Sequence, residues 1–213
     1  AEALGCLSLG PWARIEPRPP EDLAQGLPLS FAQQRLWFLD QLEPGNPAYN
    51  MPAACRLHGR LDCAALGASL AEIVQRHEVL RTTFAVTGGR PVALISGGEG
   101  SGPFCQVDLT AIPPVARAEE ERRLALQEAQ RPFDLARGPL LRAVLLRLSP
   151  VEHSMLFTLH HIVADGWSIG ILIREVTVLY AAFSAGHPTP LPPLPIQYAD
   201  YAAWQRGHLI DEV

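Results

Sequence analysis

"LLRAVLLRLSPVEHSMLFTLHHIVADGWSIGILIREVTVLYAAFSAG", residues 140–186, is the stretch whose reading decides the fold. Its first ten residues and "HSMLFTLHH" (153–161) are β-rich and almost continuously apolar, with the turn "PVE" between them. That character belongs to strands buried on both faces, at the centre of a sheet. Asp165-Gly166 is then a turn signal, where the chain leaves the sheet. From Trp167 the period becomes helical, with Ile169, Leu172, Val176, Leu179 and Phe183 on one inward face and Gly186 as the stop. Two central strands followed by a covering helix imply an α/β layer architecture.

Working outward, "LSFAQQRLWFLDQL" (29–42) predicts a helix. Ser30 can cap it and Gln33 completes a capping box, with Leu36, Trp37 and Leu39 as an apolar side. "NMPAACRLHG" (50–59) reads as a short strand. Asp62 can cap a second helix in which Leu66, Leu70, Ile73, Val74 and His77 share a face. "VLRTTFAV" and "RPVALIS" form a hairpin around Gly88-Gly89, a pair that tolerates positive φ. A short strand is expected near Phe104–Leu109, a charged helix over 115–131 with "EEERR" as its solvated face, and a last helix within "IQYADYAAWQRGHL" (196–209). Helices laid against a mixed, mostly antiparallel sheet are therefore expected.

Composition narrows the function classes. The 213 residues carry a formal charge of −5, with acids and bases interspersed and no basic stripe, so nucleic acid is not an expected partner. Apolar runs are strand-sized and broken by charge, which argues against a membrane span. The N-terminus lacks a basic start followed by an apolar core, so secretion is not indicated. Cys6, Cys55, Cys63 and Cys105 are scattered with no C-x-x-C pair, as expected of reduced thiols in a cytoplasmic protein. Five of the twenty prolines lie from Pro11 to Pro28 and five from Pro188 to Pro195. Proline breaks ladders and helices, so both stretches read as linker or surface crossing. Residues 1–26 are expected to be a tether and residues 27–213 the folded unit.

"HHIVADGWS" (160–168) holds the chemistry. If the strand runs through both histidines, His160 and His161 point to opposite faces, one to a packed layer and one to a cleft. Leu156 and Thr158 share the parity of His160; Met155, Phe157 and Leu159 share that of His161. A neutral imidazole can take a proton from an amine or hydroxyl, so either histidine can serve as a general base. Asp165 can orient it or hold the loop through an arginine. Gly166 permits close approach of a substrate, and its amide can donate to an oxyanion. The plain alternative is a hydrogen-bonded core pair. Gly166-Trp167-Ser168-Ile169-Gly170 also spells G-x-S-x-G, but a connector separates the strand from Ser168, which reads more simply as the helix N-cap. A zinc site is weaker still, because adjacent strand histidines diverge.

Four stretches, "LSFAQQRLWFL" (29–39), "RHEVLRTTF" (76–84), "LHHIVADGWS" (159–168) and "YADYAAW" (198–204), together resemble the condensation domain of non-ribosomal peptide synthetases. The His-His-x-x-x-Asp-Gly element alone is shared across the wider chloramphenicol acetyltransferase-like superfamily. The resemblance implies an acetyltransferase-like N-terminal lobe, facing a C-terminal lobe that this chain does not contain. It implies no cofactor of the domain's own; substrates ride as thioesters on phosphopantetheine arms of donor and acceptor carrier domains, with an adenylation domain adjacent. The acceptor amine attacks the donor thioester and an amide forms. By the same resemblance His161 is base or amine positioner, His160 and Asp165 support it, and Gly166 lines the reaction point. Arg76 and Arg81 match the family's second motif, and a charge-assisted pair from one of them to Asp165 is expected. Tyr198 and Trp204 are read as packing residues. The wording of "SFAQQRLWFLDQLEPGNPAYN" (30–50) resembles domains joining an L-donor to an L-acceptor; epimerising and heterocyclising relatives are the alternatives, and retention of His160 argues against the heterocyclising one. Residues 1–26 would be the linker from an upstream module, and the lobe alone is expected to be inactive. A carrier-docking lobe without catalysis and a serine hydrolase using Ser168 are the competing classes.

Overall fold

The computed structural model describes residues 14–19, 26–97 and 104–208. Strand β1 (Leu27–Pro28) leads into helix α1 (Phe31–Leu42) and a 3-10 turn over Pro47–Tyr49. Strand β2 (Asn50–His58) and helix α2 (Cys63–Arg76) follow, then a second 3-10 turn (Glu78–Arg81) and the hairpin β3 (Thr82–Thr87) and β4 (Arg90–Ile95). Strand β5 (Phe104–Asp108), helix α3 (Pro114–Gln130), strands β6 (Leu141–Ser149) and β7 (Glu152–His160), and helices α4 (Gly166–Ser184) and α5 (Tyr198–His208) complete the order.

The strands form two sheets rather than one. The larger runs β2-β7-β6-β5, with β5 parallel to β6 and the other pairs antiparallel; the smaller, β1-β4-β3, is antiparallel throughout. Strands β6 and β7 lie at the centre of the larger sheet, as their continuous apolar character requires. Leu141, Ala143, Leu145, Met155, Phe157 and Leu159 point to the main core, where Leu66, Leu70 and Ile73 of α2 and Leu172, Val176 and Leu179 of α4 meet them. The alternate residues Val144, Leu146, Leu148 and Leu156 form a second core with Leu109, covered by Leu124 and Ala125 of α3. Side-chain alternation along two strands thus supplies both faces of a helix–sheet–helix sandwich.

Local chemistry fixes the element ends. Ser30 Oγ accepts from the Gln33 amide and Gln33 Oε1 from the Ser30 amide, both at 3.1 Å, which is the reciprocal capping box. Asp62 accepts from the amides of Ala64 and Ala65 at the start of α2. The β3–β4 turn has Gly88 at φ 58° and Gly89 at φ 77°, a region that side chains with a Cβ avoid. By length and composition alone α4, with mean hydropathy 1.3, can cross a bilayer; here its apolar stripe lies in the main core and it carries the ion-paired Glu175. Cys55, Cys63 and Cys105 are free thiols, and Cys6 lies outside the described residues.

Candidate functional site

Strand β7 ends at His160, so the two histidines differ in more than the face they point to. His160 is the last strand residue, paired opposite Asn50, and only 3% exposed. His161 begins the turn and is exposed. The turn is pinned by backbone bonds: the His160 amide donates to Leu140 O (3.1 Å), the His161 amide to Tyr49 O (2.9 Å), and the Val163 amide to His160 O (3.1 Å). Ile162, Val163 and Ala164 bury their side chains, anchoring the turn from below.

The two rings are fixed in opposite tautomers by their partners. His160 Nδ1 lies 3.1 Å from the Ile162 amide, which can only donate, so that nitrogen accepts and is unprotonated. Burial, with the neighbouring His161 adding to it, lowers the His160 pKa to about 4, so the ring is neutral at neutral pH. The ring is nearly perpendicular to Phe133 (centroids 5.9 Å apart) and tilted against Tyr49 (6.3 Å). His161 Nδ1 lies 2.8 Å from Ala164 O, a carbonyl that can only accept, so there Nδ1 donates its proton. The lone pair of a neutral His161 is consequently on Nε2, which has no hydrogen-bond partner among the described residues. A backbone carbonyl, not Asp165, orients this ring.

Asp165 caps α4. Its Oδ1 accepts from Ser168 N (2.8 Å) and Ser168 Oγ (2.6 Å), while the Asp165 amide donates to Ser168 Oγ (3.3 Å). These bonds, the Ser168 hydroxyl first, lower the Asp165 carboxyl pKa. Two expectations are corrected. The N-cap is Asp165, and Ser168 is the third helical residue of a capping box, because the helix already starts at Gly166. Nor does either arginine reach Asp165: that carboxylate is exposed and satisfied by the helix terminus, so it needs no buried counter-charge. Arg76 instead donates to Glu175 Oε2 (3.2 Å) and to Pro192 O, and His77 Nε2 reaches the same Glu175 oxygen at 2.7 Å. The buried Glu175 thereby ties the end of α2 to α4. Arg81 bonds Glu78 (3.4 Å) and Ser96 O. Ser168 finds only Asp165 atoms among the described residues, an arrangement that supplies no base to a nucleophilic hydroxyl. At Gly166 a Cβ would meet nothing within 4 Å, so the backbone at the helix start is open. As the first helical residue, its amide has no intrahelical acceptor.

The four motif stretches converge here. Gln33 of α1, 4% exposed, donates from Nε2 to Ile162 O (3.4 Å), beside His161. Ser30 Oγ and the Tyr198 hydroxyl lie 3.0 Å apart, joining α1 to α5. Gln197, just before α5, donates from Nε2 to Arg76 O (3.0 Å) at the end of α2. Residues 132–139, assigned to no element by sequence, supply Phe133, which meets both the His160 ring and the Arg142 guanidinium (3.8 Å from the ring centroid). The alternation Phe133, Leu135 between Pro132 and Gly138 is the signal that marks this loop as packed. The Tyr49 and Ala164 carbonyls leave no signal in side-chain identity.

Comparison with known proteins agrees with this geometry. The Condensation domain family model matches residues 24–212. A linear gramicidin synthase of Brevibacillus parabrevis is 50% identical over 201 residues, 94% of this chain and 3% of that protein. Phosphinothricin tripeptide synthetase PhsC of Streptomyces viridochromogenes is 49% identical over 203 residues, 95% of this chain and 18% of that protein. Among solved structures, the X-domain from teicoplanin biosynthesis superposes with a TM-score of 0.79 at 32% identity, over 92% of this chain and 40% of that one. The starter condensation domain of rhizomide synthetase RzmA gives 0.75 at 25% identity, over 87% of this chain and 44% of that one. The chain spans a small part of the curated relatives and less than half of these solved domains. It belongs to the condensation-domain family of non-ribosomal peptide synthetases.

Proposed function

We propose that this chain is the N-terminal lobe of an amide-forming condensation domain and that His161 is its reactive group. One observation carries the reading: His161 is held through Nδ1 by Ala164 O, which leaves an exposed Nε2 lone pair at the open start of α4. The carrier-bound acceptor amine attacks the donor thioester carbonyl. A C–N bond forms, the C–S bond breaks, and the donor phosphopantetheine leaves as a thiol. His161 Nε2 holds the amine or receives its proton. His160, Asp165 and Gln33 act through the backbone, keeping the turn and the helix start in place. Arg76 and Arg81 support the lobe at a distance from the reacting atoms. Gly166, the first residue of α4, offers an amide without an intrahelical acceptor to the developing oxyanion.

In this reading donor and acceptor carrier domains deliver the substrates, a second lobe closes the site, an adenylation domain supplies the acceptor, and the domain holds no cofactor of its own. The joining is of an L-donor to an L-acceptor, and the 213-residue chain alone is inactive because His161 faces solvent. Mixing the complete synthetase with loaded carriers and following the acceptor-bound product tests this. An amide on the acceptor carrier supports the reading, with L-donors consumed faster than their D-epimers. A second reading, docking without turnover, draws on the similarity to the X-domain, whose solved complex contains OxyB. Carrier binding without amide formation would favour it.

A further inference from the structure

Arg18 lies in the Pro-rich stretch expected to be a tether, yet its side chain is only 11% exposed. Its NH1 donates to Asp200 Oδ1 (2.7 Å), its amide donates to the same oxygen (3.2 Å), and its NH2 pairs with Glu78. The receiving site is built by the second 3-10 turn and by the start of α5. Arg81 holds Glu78 from the other side (3.4 Å), Gln197 N donates to Asp200 Oδ2 (2.6 Å), and the Glu78 amide donates to Gln197 Oε1 (3.2 Å). Asp200 is 4% exposed and Glu78 17%. Around Arg18 the segment itself is open: Glu16, Pro17 and Pro19 are exposed. The contact is a single deep anchor, not a packed strand. Pro17 and Pro19 fix φ on both sides of it, so the segment loses little conformational freedom on docking.

We propose that Arg18 is a positioning residue that docks the incoming tether onto the Glu78–Asp200 clasp. The upstream segment then leaves the lobe at Arg18 rather than at Leu27. Nine residue steps separate these positions, so docking removes up to roughly 30 Å of extended reach from whatever precedes it. The same clasp holds α5, the last described helix, so the segment entering the lobe and its last helix share one charge cluster. Assigning that upstream load as a carrier domain rests on the proposed function; the docking itself does not.

The test uses the Arg18 amide, which has proline on either side and therefore reports the Asp200 bond without neighbouring amides. Hydrogen exchange on the chain should show that amide protected at least about tenfold, as a charge-assisted bond predicts, with Arg18→Ala abolishing the protection and Arg18→Lys keeping part of it. Exchange in β7 and α4 should stay unchanged. An unprotected amide in the native chain overturns the docking. In the intact synthetase, the distance between a spin label on the upstream domain and one on the lobe should lengthen and broaden in Arg18→Ala. If exchange changes and this distance does not, the tether role falls and only a local ion pair remains.

Discussion

Acid sensitivity follows from how His160 is held. The ring is buried, its Nδ1 is occupied by the Ile162 amide, and its pKa is lowered from 6.5 to about 4. A histidine depressed in the folded state binds its proton more readily when unfolded. Its contribution is therefore complete above the unfolded pKa, near 6.5, and is lost as pH falls towards 4. With about 1.36 kcal/mol per pKa unit, the loss amounts to about 2 kcal/mol at pH 5 and about 3 kcal/mol at pH 4. His160→Asn removes the titration while leaving a side-chain oxygen that can accept from the amide two residues on. Urea unfolding of both chains from about pH 7.5 to 4 isolates the effect together with its coupling to His161, because the groups not coupled to His160 cancel in the difference. The native chain should lose about 3 kcal/mol more than His160→Asn over that range. Parallel stability curves would refute the assignment of a neutral, buried His160.

Three further outcomes follow from the packing. Leu179→Ala, at a fully buried position of α4 in the main core, should cost about 2–5 kcal/mol in chemical denaturation, from lost burial and the cavity left behind. Arg76→Met leaves Glu175, 7% exposed, with His77 as its remaining hydrogen-bond partner and should cost on the order of 3 kcal/mol in the same assay, without touching the His161 ring. Asp165→Ala should cost about 1 kcal/mol through loss of the α4 cap, whereas Asp165→Asn should retain most of it, since either side chain can accept from Ser168 N.

Much of this fold is written in local sequence. Ser30 with Gln33, Asp62, the Gly88-Gly89 turn and the doubly apolar β6 and β7 each act through neighbours a few residues away, and each appears where expected. The exceptions involve partners far along the chain. Strand β1 is two residues long and exists through its pairing with β4, so no periodicity announces it. The parallel β5–β6 contact, and the division into two sheets, depend on which strand lies beside which. At the site, His161 and the open helix start are legible because a histidine pair before Asp-Gly is a side-chain pattern. The carbonyls that choose the tautomers carry no side-chain information. The partner of Arg76 escapes sequence reading for a related reason. A charged side chain in sequence does not reveal which carboxylate is buried, and the buried one is Glu175, in mid-helix on a face that otherwise reads as apolar.

In the proposed function His161, through its open Nε2, serves the amine that attacks the thioester. Single-turnover amide formation by the complete synthetase, with both carriers loaded, tests it in the native protein and in His161→Ala. The variant should bind both carriers normally and form the amide about a hundredfold or more slowly, the scale of a lost acid–base group. Amide formation at the native rate in His161→Ala would exclude His161 as the reactive group.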